Sequence, residues 1–258
     1  MRCSMLRRAR IAPGEIIYHA LNRANGRSQL FDKPEDYAAF ERIMVAAMRR
    51  SPIRMLAYCL MPNHWHMVLW PKKDGEMTEF LRWLTLTHSQ RLHAHRHTTG
   101  YGHIYQGRFK SFPVEQDQAA LNVIRYVERN ALRANLVDQA QEWRWCSLWR
   151  RVHGDRESLL SDWPFDRPAE WVDWVNAAQT EAEIEALRRC VNRGTPYGSE
   201  NWKTQIVAAL GLNIHFSPVT GLRIRKREKR FASPFLPSFS LLRSPTVSAS
   251  PRWRPPGY

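Results

Sequence analysis

The sequence has few long hydrophobic runs, few cysteines and a shortage of acidic residues. No stretch approaches the roughly 18 apolar residues of a membrane span, so no membrane association is expected. The start of the chain is basic but has no apolar segment, so no secretory signal is expected. No two cysteines form a Cys-x-x-Cys pair, which argues against a disulfide framework or zinc finger and fits a reducing cytoplasm; the four are Cys3, Cys59, Cys146 and Cys190.

The balance of charge is strongly basic. Among 258 residues there are 39 Lys and Arg against 24 Asp and Glu, a formal net charge of +15. Hydrophobic residues make up 43%, which is ordinary for a globular protein and excludes a wholly disordered chain. A positive surplus of this size indicates a polyanionic partner. No glycine-rich phosphate loop is present, so no nucleotide cofactor is expected.

The charge is concentrated at the C-terminal end. Residues 217–258 hold nine Lys and Arg and one Glu, and seven of the sixteen prolines. This composition cannot support a packed core, so it predicts a disordered basic arm. Within it Arg225, Lys226 and Arg227 are candidate phosphate contacts. We expect a catalytic domain at 1–150, a helical appendage at 151–216 and the arm at 217–258.

The order of the predicted elements is β-α-β-β-α-β followed by a helix. This order predicts an α+β protein with a ferredoxin-like core, one added helix and a C-terminal helical appendage. The predicted strands are 15–22, 53–60, 64–70 and 112–116. The predicted helices are 34–50, 77–97, 118–135, 168–178, 180–191 and 200–210.

Two histidines lie in the third predicted strand, HWHMVLW. His64 and His66 are two residues apart, so they project from the same face of a strand and can meet one metal ion. Trp65, Met67 and Leu69 then face the opposite side. A histidine pair alone is more often structural than metal-binding.

The predicted helix from 118 adds a second candidate group. Its apolar stripe runs through Ile124 and Val127, and Tyr126 lies toward the edge of that stripe. Asn130 follows one turn later, on the same helix face as Tyr126. Taken alone, Tyr126 is more often a packing residue with a solvated hydroxyl.

Together these stretches resemble a known family. MPNHWHMVLWP is similar to the His-hydrophobe-His strand of HUH endonucleases, and RYVERNALRANLV resembles the catalytic helix of single-tyrosine transposases. The chain is most similar to the REP-associated tyrosine transposases of bacteria, over about residues 14–210. The family usually has a proline after the asparagine, where this chain has Ala131; alanine keeps the helix intact.

The resemblance implies a mechanism and a set of site residues. His64, His66 and Asn130 would bind Mg²⁺ or Mn²⁺, and Tyr126 would attack a phosphodiester in single-stranded, hairpin-forming DNA. The products would be a 5′-phosphotyrosine link and a free 3′-hydroxyl. A homodimer that exchanges catalytic helices and a monomer are both compatible with it, and a bacterial, nucleoid-associated location is implied.

Further polar residues lie at predicted strand or loop ends near this site. We expect Asn22, Arg23, Arg108 and Lys110 to contact phosphates or bases, although each is as readily explained as ordinary surface charge. Two alternatives stay open. The first is a sequence-specific nucleic-acid-binding protein without catalysis. The second is a metallohydrolase that activates water, which would need a carboxylate beside the histidines, and the sequence offers none there.

Overall fold

Four antiparallel strands form one sheet in the order β2-β3-β1-β4. The structure, a computed structural model, describes residues 12–154 and 159–211, and these fall in one compact unit. Each pair of neighbouring strands is antiparallel, as the predicted ferredoxin-like core requires. The strands are β1 (Ile17–Arg23), β2 (Arg54–Met61), β3 (His64–Trp70) and β4 (Lys110–Val114).

Two long helices cover one face of the sheet. Helix α1 spans Pro34–Arg50 and α2 spans Glu76–Arg96, which completes the predicted β-α-β-β-α-β order. Proline suits the first position of α1, where an N–H would have no partner. The Asp36 carboxylate accepts the backbone N–H of Asp32 at 2.9 Å, which ties the first turn of the helix to the chain that precedes it.

The hydrophobic core lies between this face and the two helices. Trp65, Met67 and Leu69 of β3 point into it and are fully buried, as predicted from the strand period. They pack with apolar side chains of both helices, among them Phe40 and Phe80. This burial leaves the intervening residues of β3 for the other face.

The other face is covered by the helix that carries Tyr126. Asp117 caps α3 (Gln118–Glu128), its Oδ1 accepting the N–H of Ala119 at 2.6 Å. A second short helix, α4 (Asn130–Arg133), follows after a joint at Arg129. The predicted single helix to residue 135 is therefore wrong in detail, because the chain leaves helical geometry before Asn135, which has a φ of 55°.

The segment after α4 packs against the same body. Arg150 donates to the buried Glu41 carboxylate at 2.8 Å, and Tyr58 donates to the other Glu41 oxygen at 2.6 Å. The expected boundary between residues 150 and 151 falls inside the helix that carries Arg150. The helices of the segment after α4 are α5 (Ser147–Val152), α6 (Trp171–Asn176), α7 (Glu181–Arg193) and α8 (Glu200–Leu210). Of these, α5 was not predicted from the sequence.

Two further sequence predictions concern the C-terminal basic arm and the absence of a membrane span. The predicted basic arm at 217–258 lies outside the described residues. Within residues 12–154 and 159–211, no helix is both long and apolar enough to cross a membrane.

Candidate active site

The two histidines of β3 lie on the sheet face that α3 covers. His66 is buried in the middle of the strand and His64 is partly exposed at its start. Their ring centroids are 5.0 Å apart and the rings are nearly perpendicular. That separation lets both rings reach one ion at a nitrogen–metal distance of about 2.1 Å. The structure therefore confirms the predicted shared face.

Each of these rings has its Nδ1 atom held by a neighbouring side chain. His64 Nδ1 donates to Asn63 Oδ1 at 2.6 Å. His66 Nδ1 lies 2.9 Å from Nε2 of His19, a fully buried residue of β1 whose ring stacks on His66. Metal-binding histidines commonly have their second nitrogen fixed in this way. Nε2 is therefore the atom that each ring of β3 would offer to an ion.

Burial keeps all three imidazoles neutral near pH 7. It lowers the pKa of His19 to about 3, and it lowers that of His64 to about 3 with help from the positive charges of Arg23 and Arg133. The pKa of His66 is also lowered, by burial and then by His64, His19 and Arg133. Neutral imidazole is the form that binds metal, so protons do not compete at neutral pH.

Tyr126 faces the histidines from α3. Its ring centroid lies 5.9 Å from that of His66 and 6.2 Å from that of His19, edge-on in both cases. The residue is only 5% exposed, so Tyr126 lies within the interface between α3 and the sheet and not at the expected edge position. The helix is buried on more than one side, because the segment after residue 140 covers its outer surface.

Asn130 and Tyr126 are joined through Arg133, which the sequence analysis missed. The Arg133 guanidinium stacks on the Tyr126 ring at 4.1 Å, and its Nη2 donates to Asn130 Oδ1 at 2.8 Å. The spacing contained the signal, because Arg133 follows Asn130 by three residues and Tyr126 by seven, which places all three on one helix face. Asn130 is buried and its Nδ2 lacks a hydrogen-bond partner.

The outer side of the Tyr126 helix is fixed by α6. Arg125 donates to the carbonyl of Trp174 at 2.7 Å and to that of Ala177 at 2.8 Å. Arg129 donates to the carbonyls of Val175, at 2.9 Å, and Asn176. Two arginines thus satisfy carbonyls at the C-terminal end of α6, where cations are favoured.

Glu128 adds a second attachment between the helix and the following segment. Its carboxylate is fully buried and accepts from Ser147 Oγ at 2.6 Å and from Trp171 Nε1 at 2.7 Å. Burial raises its pKa, and the two hydrogen bonds oppose that rise.

The four further polar residues do not surround one site. Arg23 pairs with His64 and Lys110 pairs with Leu21, so both lie on the histidine face. Asn22 points the other way and donates to the carbonyl of Gly107 at 3.2 Å. Asn22 and the exposed Arg108 line a separate groove of about 970 Å³ beside α2. The expectation of one common site is therefore wrong for Asn22 and Arg108.

Arg225, Lys226 and Arg227 lie outside the described residues. His19 was present in the sequence as a histidine within an apolar strand, but periodicity alone does not separate a core histidine from one that holds a ligand. His19 shares a face of β1 with Ile17 and Leu21. Only the pairing of Leu21 with His66 shows that this is also the face of His66.

Comparison with known proteins shows which of them this chain resembles. Residues 14–130 match the family model "Transposase IS200 like". A solved structure described as "Structure of the REP associates tyrosine transposase bound to a REP hairpin" is 19% identical, with a TM-score of 0.44. The match covers 63% of this chain and 94% of that chain. No curated protein matches the chain.

Proposed function

We propose that this protein is a metal-dependent, single-strand DNA endonuclease and transposase that uses Tyr126 as its nucleophile. The observation that carries the proposal is the convergence of Tyr126 with His66 and His64 across the interface of α3 and β3. The family match of residues 14–130 supports the same class of activity.

The donor set fits a divalent ion. His64 and His66 are neutral, with Nδ1 of each held by a neighbour, and Asn130 provides an amide oxygen. These neutral ligands suit Mn²⁺ or Mg²⁺ and leave the ion's charge available to a phosphate. Within the described ranges no three His, Cys, Asp or Glu side chains are placed to hold one ion, so the set depends on Asn130. The ion, when bound, would polarise the scissile phosphate.

The side chains of this chain perform the remaining steps. The Tyr126 oxygen forms a bond to phosphorus and the bond from phosphorus to the 3′ oxygen breaks. The tyrosine proton is lost to solvent, and the leaving oxygen takes up a proton to become a free 3′-hydroxyl. The phosphotyrosine ester conserves the energy of the broken bond, so rejoining needs no nucleotide cofactor.

The proposed substrate is a DNA hairpin with an adjacent single strand. The resemblance of the two motifs to REP-associated tyrosine transposases supports this choice, and the related solved structure was determined with a REP hairpin. Arg23 and Lys110 lie beside the histidines and provide positive charge for the DNA backbone. A catalytically inactive binding protein is the alternative.

A cleavage assay with end-labelled DNA tests the proposal. The strand labelled on the 3′ side of the cut should migrate with the protein on a denaturing gel, and the strand on the 5′ side should be released. Tyr126→Phe should abolish both products while DNA binding persists. Binding without cleavage by the unaltered protein would favour the inactive binding protein, and cleavage without an adduct would favour a metallohydrolase.

A further inference from the structure

Arg133 differs from the other arginines of its helix in what surrounds its charge. Arg125 and Arg129 direct their guanidinium groups to backbone carbonyls of the α6 region. Arg133 instead stacks on Tyr126 and donates from Nη2 to Asn130. Its Nη1 is buried and has no hydrogen-bond partner. None of the ion pairs among the described residues includes Arg133.

A half-buried cation without a counterion is costly, because burial removes part of its hydration and no carboxylate of the described residues offsets its charge. The charge acts on the site itself, since Arg133 lowers the pKa of both His64 and His66. The remaining donor and the uncompensated charge lie beside the ring whose oxygen would attack phosphorus. A phosphate oxygen is the ligand that both features fit, because guanidinium groups bind phosphates by charge-assisted hydrogen bonds.

We propose that Arg133 is a catalytic residue that binds the scissile phosphate while it stacks on Tyr126. This inference rests on the proposed function. Its contact to Asn130 fixes the guanidinium plane, and Nη1 provides the hydrogen bond to a non-bridging phosphate oxygen. As negative charge develops during attack by Tyr126, the preorganised cation stabilises it.

The first experiment separates turnover from binding in the full-length protein. Arg133→Gln should lower the rate of adduct formation at saturating DNA by about 100-fold to 1,000-fold, the range for loss of one preorganised donor. Arg133→Lys should recover part of this loss, because it restores the charge without the planar fork. Guanidinium ion should partly restore Arg133→Ala and have no effect on Tyr126→Phe.

Two control variants separate this role from charge and from structure. Arg42→Gln removes the same charge from an exposed position on α1 and should leave the rate unchanged. Arg129→Gln removes contacts to α6 and should lower the melting temperature. Guanidinium ion should not restore the rate of adduct formation in this variant. An unchanged rate for Arg133→Gln, or a loss that neither Lys nor guanidinium restores, would overturn the inference.

A binding cycle tests the phosphate contact without catalysis. In the Tyr126→Phe background, a neutral methylphosphonate at the cleavage position should weaken DNA binding by about tenfold, the worth of one charge-assisted hydrogen bond. The same replacement should have little effect when Arg133→Gln is also present. Additive losses would overturn the phosphate contact. Absence of an adduct from the unaltered protein would instead contradict the proposed function.

Discussion

The two faces of the sheet differ in how far their buried polar atoms are hydrogen-bonded. On the α1 and α2 face, Tyr105 accepts from Trp65 Nε1 at 3.2 Å, and its hydroxyl lies 2.7 Å from His88 Nδ1. On the α3 face, buried polar atoms without partners cluster on three residues of the candidate site, His19 Nδ1, Asn130 Nδ2 and Arg133 Nη1. On the α1 and α2 side, Thr78 Oγ1 of α2 also lacks a partner, but it lies outside this network.

We interpret this difference as one between a face that stabilises the fold and a face that would bind the proposed ligand. A buried polar group without a partner costs about 1–3 kcal/mol, so a cluster of them lowers stability unless a ligand satisfies it. The hydrophobic core opposite compensates for that cost. Changes on the two faces should therefore have different consequences, with stability affected most on one and ligand binding on the other.

The largest stability loss should come from the apolar face. Phe40→Ala removes a fully buried ring between α1 and the sheet, and should lower the free energy of unfolding by about 3–5 kcal/mol. Urea denaturation measures the change. A loss below about 1 kcal/mol would show that this face does not contain the main core.

On the histidine face, metal affinity should change most. His64→Ala and His66→Ala should each remove measurable Mn²⁺ binding, and Asn130→Ala should weaken it more mildly, since water replaces an amide oxygen. His19→Leu leaves the ligands in place but releases His66 Nδ1, so affinity should fall by about 10-fold to 100-fold. Calorimetry checks all four, and unchanged affinity in the first three would refute the site.

The attachment behind Tyr126 should have a smaller effect. In Glu128→Gln, one carboxylate oxygen becomes an NH₂ group, which cannot accept from both Ser147 and Trp171 in the present geometry. The free energy of unfolding should fall by about 1–3 kcal/mol, and adduct formation should slow with it. Unchanged stability by urea denaturation would show that this buried carboxylate does not hold the helix.

The smallest effect should be on the pH dependence of stability, through His88, which is hydrogen-bonded to Tyr105. Burial, aided by the charge of Arg96, lowers the pKa of His88 to about 3, against 6.5 in an exposed histidine. Below pH 6.5 the unfolded chain takes up a proton that the folded chain does not, so stability is lost as pH falls toward 3. His88→Gln should reduce this dependence by up to about 1.4 kcal/mol per pH unit.

Unfolding curves between pH 7 and 5 test this change in slope against the unaltered protein. Equal slopes for the two proteins would mean that His88 is not kept neutral by its surroundings.

The sequence predicted the β-α-β-β-α-β order because the strand alternation and the helix starts at Pro34 and Asp117 are local signals. The same alternation placed His64 and His66 on one face. Tyr126 was expected at an edge, because local periodicity does not report the segment that packs over α3 from residues far along the chain. His19 and Arg133 needed strand pairing and helix docking to be placed beside their partners.

The most direct test of the central claim is to identify the residue that becomes joined to DNA. The protein is incubated with Mn²⁺ and a hairpin substrate, digested with protease and nuclease, and analysed by mass spectrometry. The account predicts a nucleotide on the phenol oxygen of Tyr126 and on no other tyrosine. A nucleotide on another residue, such as the exposed Tyr101, with Tyr126 unmodified would contradict it.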